Sequence, residues 1–109
     1  VQCVVEADGS VYPCDFYVLD KWRMGNITTD PIPDLLSAPA AKTFVQASLA
    51  VDEACKNCPY FSICKGGCRR HREKPDGEIG LNRYCSAYKL FFKRNLPLLM
   101  QLADTIKKS

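Results

Sequence analysis

Five of the seven cysteines fall in one block, Cys55-x2-Cys58-x5-Cys64-x3-Cys68, with Cys85 following after a longer gap. Thiolates at such short intervals hold a metal ion or an iron–sulfur cluster, and four of them complete one tetrahedral site or one cubane. The fifth cysteine of the block, with Cys3 and Cys14 far upstream, exceeds what one four-coordinate centre uses. The count points to one complete site and part of a second. The block also constrains folding. Residues 52–83 are dominated by Cys, Gly, Pro, Asn and charge, with no apolar periodicity, so packing alone would not offset the entropy of ordering them. Bonds to a metal or cluster would.

Disulfides are the competing use of cysteine. An odd count of seven, with no charged-then-apolar leader at the start, is unlike a secreted disulfide scaffold and points to thiol ligation in a reducing, cytoplasmic compartment. No run of eighteen apolar residues occurs, so no membrane span is expected. The net charge of +3 gathers in Lys65–Arg72 and in the last helix. Cations beside a negatively charged cluster explain that better than nucleic acid does, and no nucleic-acid partner is expected. With 109 residues and 47% hydrophobic content, the chain suits one small domain. It starts at Val1 without methionine and reads as a piece of a longer polypeptide.

The predicted architecture is a small α+β fold stabilised by metal or cluster. It has an N-terminal β-hairpin region (1–27), a cysteine-rich loop (52–85) and C-terminal helices (84–108). Asp8-Gly9 supplies the hairpin turn. Pro13 predicts a bend or an edge in the second strand, which leaves Cys14 and Asp15 at an irregular spot. Gly25-Asn26-Ile27 reads as a turn, and Asp34 as the N-cap of a short helix through Leu36. A helix over 39–49 would bury Ala41, Phe44, Val45 and Leu49. Gly66-Gly67 would let the backbone approach a bulky cluster. From Tyr84 a helix carries a core stripe of Tyr88, Phe91 and Phe92, breaks at Asn95 and Pro97, and restarts with Leu98, Leu102 and Ile106. His71 reads as a solvated side chain and not a ligand.

The order Gly9-x4-Cys14, Cys55-x2-Cys58-x5-Cys64-x3-Cys68, Cys85 resembles the SPASM domain, the auxiliary-cluster domain of a subset of radical S-adenosylmethionine enzymes. Val11-Tyr12-Pro13-Cys14-Asp15-Phe16, Gly25-Asn26-Ile27, Gly66-Gly67-Cys68-Arg69 and Tyr84-Cys85 look more particularly like the anaerobic sulfatase-maturating enzymes. The resemblance implies that Cys55, Cys58, Cys64 and Cys85 hold one [4Fe–4S] cluster. It also implies that Cys14 and Cys68 are ligands of a second, completed by residues upstream. Cys3 lies too close to Gly9 for the family's first ligand and reads as a buried thiol. The implied activity is oxidation of a sulfatase Cys or Ser to Cα-formylglycine, with Asp15 as the base. The implied partners are the sulfatase polypeptide and a radical S-adenosylmethionine core domain. The Cys-x3-Cys-x2-Cys motif that cleaves S-adenosylmethionine is missing, so this segment alone is not expected to be catalytic. The alternatives are a structural four-cysteine zinc module, since zinc accepts the same thiolates, and the auxiliary domain of another peptide-modifying enzyme.

Overall fold

A computed structural model describes residues 1–109, and its first element pair is the expected hairpin. β1 (Val4–Val5) pairs antiparallel with β2 (Ser10–Tyr12) in the register Val4↔Tyr12 and Val5↔Val11. Gly9 takes φ 88°, a conformation that costs glycine little. The Asp8 carboxylate accepts a hydrogen bond from the Ser10 N–H at 2.9 Å. That bond, above all, holds the Asp8 carboxyl below the usual carboxylate range.

The segment predicted as a turn at 25–27 is instead a third strand. β3 (Gly25–Asn26) pairs antiparallel with β2, giving the order β1-β2-β3. Glycine and asparagine have poor strand propensity, and here side-chain bonds substitute for it. Asp30 Oδ2 accepts from the Asn26 N–H at 2.8 Å, and Asn26 Nδ2 donates to the Asp8 carbonyl at 3.0 Å. β2 is therefore the central strand, not an edge. Pro13 follows its last residue and is fully buried, so no ladder bond is lost.

The chain divides into two compact units, Val1–Ala50 and Val51–Ser109. In the first, α1 (Ile32–Leu36) begins after Pro31, three residues before the predicted start. Asp34 lies inside the first turn and is not the cap, and a carboxylate there faces the positive end of the helix. α2 (Pro39–Ser48) starts where predicted. Ala41 and Phe44 are buried, but Val45 and Leu49 are 40% and 64% exposed, so the apolar face is narrower than the sequence suggests. Two apolar clusters hold this unit. One joins Val11, Met24, Leu35 and Ala41. In the other, Phe44 meets Tyr17 and Trp22 edge-on at 5.2 Å each, and Cys14 packs against the group.

In the second unit, the stretch predicted as loop contains short helical turns. They are α3 (Glu53–Lys56), α4 (Phe61–Cys64) and a 3₁₀ turn over Arg69–His71, followed by a single bridge, Glu73↔Ile79. Asp52 caps α3 by accepting from the Ala54 N–H at 2.9 Å. α5 (Cys85–Lys108) runs for 24 residues and passes straight through Pro97. The predicted break is absent: Leu96, Leu98, Leu99 and Met100 are good helix formers, and propensity on both sides carries the helix past one missing donor. No α5 side chain is buried, so the predicted core stripe is half-buried at most within this unit. No helix is long and apolar enough to cross a membrane.

Candidate metal centre

The first site residues come from the short helices. Asp52 starts α3, which sets Cys55 on its inner side, 8% exposed. The Cys58 N–H donates to the Cys55 carbonyl at 3.2 Å, and the Cys64 N–H to the Tyr60 carbonyl at 2.8 Å, so two tight turns present three thiols. After α4, Lys65 adopts a left-handed φ of 51°, and Gly66 and Gly67 follow at 87° and 74°. This backbone reversal brings the chain back under the cysteines.

Cys55, Cys58, Cys64 and Cys85 line one small hollow of about 30 Å3 that opens to solvent, with Tyr60, Phe61, Leu81 and Tyr88 among its walls. Cys68, the fifth thiol of the block, is exposed and outside that lining. Burial pushes the Cys55 thiol up, and the negative charges of Cys85, Asp52, Cys64 and Cys58 push it further. Four thiolates are therefore stable here only with compensating positive charge, which a metal centre supplies. Lys89, also in the lining, adds a cation that the sequence reading did not single out.

No three His, Cys, Asp or Glu side chains stand close enough to grip a single metal ion. A tetrahedral zinc needs each sulfur at about 2.3 Å, so its four thiols must converge on one point. The four-thiol donor set and the apolar walls fit a thiolate-held iron–sulfur cluster.

Asn82 braces this cradle. It is 4% exposed and donates from Nδ2 to the Gly66 carbonyl at 3.2 Å. Its Oδ1 accepts from the Tyr84 N–H at 2.8 Å, and its carbonyl accepts from the Cys85 N–H at 3.0 Å. One side chain thus ties the glycine reversal to the start of α5. A Cβ on Gly67 would collide with the Asn82 amide and press on Tyr88. Gly67 serves this close approach and a positive φ, while Gly66, also at positive φ, lines the four-thiol hollow. Arg72, 5% exposed, adds a second tie from Nε to the Gly67 carbonyl at 3.2 Å.

The remaining predicted residues are placed as follows. Cys14 is half-buried after β2 and Asp15 is exposed, 3.6 Å from the Cys14 sulfur through Oδ1, a long contact that only a protonated thiol makes. Cys3 is exposed, which corrects the expectation of a buried thiol. His71 is half-buried against the Tyr84 ring at 5.0 Å, and its Nδ1 is buried without a hydrogen-bond partner, so it is not the solvated side chain expected.

Comparison with known proteins gives a consistent picture. Residues 1–59 match the family described as SPASM, iron–sulfur cluster-binding domain. The chain is 51% identical over 107 residues to the cysteine-type anaerobic sulfatase-maturating enzyme of Clostridium perfringens (strain 13 / Type A), covering 97% of this chain and 29% of that protein. It is 30% identical over 108 residues to the serine-type enzyme of Bacteroides thetaiotaomicron, covering 96% of this chain and 25% of that protein. Among solved structures, native anSMEcpe with bound AdoMet and Kp18Cys peptide superposes with a TM-score of 0.84 at 50% identity, covering 95% of this chain and 29% of that one. The chain therefore spans under a third of the length of these relatives.

Proposed function

The chain belongs to the SPASM family of iron–sulfur cluster-binding domains, and from that premise we propose that it is the auxiliary-cluster domain of a radical S-adenosylmethionine sulfatase maturase of the cysteine type. The observation that carries this reading is the four-thiol hollow, joined to 51% identity with a cysteine-type enzyme against 30% with a serine-type one. Cys55, Cys58, Cys64 and Cys85 would hold one [4Fe–4S] cluster, and Cys14 and Cys68 are proposed as ligands of a second.

The proposed reaction takes a Cβ hydrogen from a sulfatase cysteine, a proton from its sulfur and one further electron, leaving a thioaldehyde that water hydrolyses to the aldehyde of formylglycine with release of hydrogen sulfide. The bound clusters would supply a redox-active acceptor for that electron. Asp15 is the proposed proton acceptor. Its support is position: it follows a proposed ligand, so its backbone would be fixed by the neighbour's bond to the cluster, and its carboxylate is exposed. Asn82, Arg72 and the glycine reversal hold the cysteine backbone in place, and aromatic side chains form part of the hollow's wall.

The test uses the full-length protein prepared anaerobically. Iron, sulfide and zinc analysis with an absorbance spectrum should report iron–sulfur clusters. Mass spectrometry of a cysteine-containing sulfatase peptide should report formylglycine once S-adenosylmethionine and a reductant are added. Zinc in place of iron, with no product, would return the chain to a structural zinc module.

A further inference from the structure

Beside the cysteine hollow lies a second concavity, an open basin of about 630 Å3. Arg70, Arg72, Lys74 and Arg83 line it, against one carboxylate, Glu73. Four cations against one carboxylate make this basin a local positive patch; the other basic stretch is α5, with Lys89, Lys93, Arg94, Lys107 and Lys108 against Asp104. Arg70 and Lys74 are exposed at its rim. Asp76 and Glu78, on the same excursion, do not line it.

Leu81 lines both concavities and is 45% exposed. A body seated in the basin is therefore one side chain from the cradle. Cluster charge alone would be offset by cations facing the thiols, as Lys89 does. The basin's rim cations are instead available to a partner.

Resting on the cluster reading above, we infer that this basin is the docking surface for the acidic face of a small one-electron carrier protein. Interfaces of this kind are small and transient, and their charges set the encounter rate more than the affinity. The exchange is one electron: the reduced cluster held by Cys55, Cys58, Cys64 and Cys85 is oxidised, the oxidised carrier is reduced, no bond forms or breaks and no proton moves. The proposed maturase reaction leaves one electron to dispose of, and this surface gives it an exit.

The experiment uses full-length protein with its clusters loaded and an oxidised plant-type [2Fe–2S] ferredoxin of net negative charge as the probe. Its association rate is measured from about 20 to about 200 mM salt, a range that shrinks the screening length from roughly 20 Å to below 10 Å. The wild-type rate should fall about tenfold or more across that range. Arg70→Glu/Lys74→Glu should lose about tenfold at low salt and flatten the salt dependence, with iron, sulfide and absorbance unchanged. Lys107→Glu/Lys108→Glu, an equal charge change at the end of α5, should behave as wild type. An unaltered rate in the basin variant, or an equal loss in the α5 variant, overturns the docking surface alone. Absence of iron and sulfide from the wild-type protein overturns the cluster reading and the carrier with it.

Discussion

At the scale of single residues, Asp15 and Asn82 make opposite predictions. Asp15 is exposed and holds no element together, so Asp15→Asn in the full-length protein should keep its iron and still cleave S-adenosylmethionine. Formylglycine should fall by about 10²–10⁴-fold, the usual contribution of a positioned base. Normal product, read by peptide mass, would remove Asp15 from the reaction, and lost iron would make it structural. Asn82→Ala removes one buried and one partly buried hydrogen bond and leaves the Gly66 carbonyl without its donor. A cost of roughly 2–3 kcal/mol is expected, seen as faster hydrogen exchange at Tyr84 and Cys85 and slower cluster reconstitution. Unchanged exchange there would mean that the brace is dispensable. The cysteines were legible because ligand spacing is a local pattern. Asn82 was not, since an asparagine in a polar stretch reads as a turn and its partner Gly66 is sixteen residues away.

At the scale of elements, Pro97 is the informative case. A proline inside a helix removes one hydrogen bond and crowds the preceding turn, at a cost of about 3 kcal/mol against alanine. α5 runs through it nonetheless, with Asn95 Nδ2 donating to the Phe91 carbonyl at 3.0 Å one turn earlier. Pro97→Ala should therefore slow amide exchange across residues 93–101 without moving the ends of the helix, as exchange mass spectrometry or NMR would report. Faster exchange would show that the proline is built into the native packing. The sequence suggested a break because the penalty of proline is local, whereas the helix formers that outweigh it act together over many residues. β3 eluded the same reasoning in reverse. Nothing in Gly25-Asn26 favours a strand, and Asp30 and Asp8 supply the bonds from elsewhere in the chain. The hairpin and α2 were readable because Asp8-Gly9 and Pro39 carry their signals within a few residues.

At the scale of the whole molecule, the two units are held by different means. Every buried hydrophobic residue except Cys55 lies in the first, which has two apolar clusters of its own. The second buries Cys55, Arg72 and Asn82, none of which contributes a large apolar side chain. Its order between 52 and 85 would then depend on the bonds its thiols make, worth on the order of 10 kcal/mol in small metal-dependent domains. The expected consequence is uneven loss. Anaerobic removal of iron from the full-length protein should release amide protection across 52–85, with Cys55, Cys64 and Cys85 becoming open to alkylation. Val11, Met24 and Leu35 should stay protected, because the cluster that buries them contains no proposed ligand. Cys85→Ser should reproduce that pattern by removing one thiol of the hollow. Cys68→Ser should leave the four-thiol site loaded, since Cys68 stands outside the lining. Equal loss of protection in both units on iron removal would show that the sheet and the cradle fold as one cooperative body. Persistent protection of 52–85 without iron would show that Asn82, Arg72 and the aromatic walls order the cradle unaided.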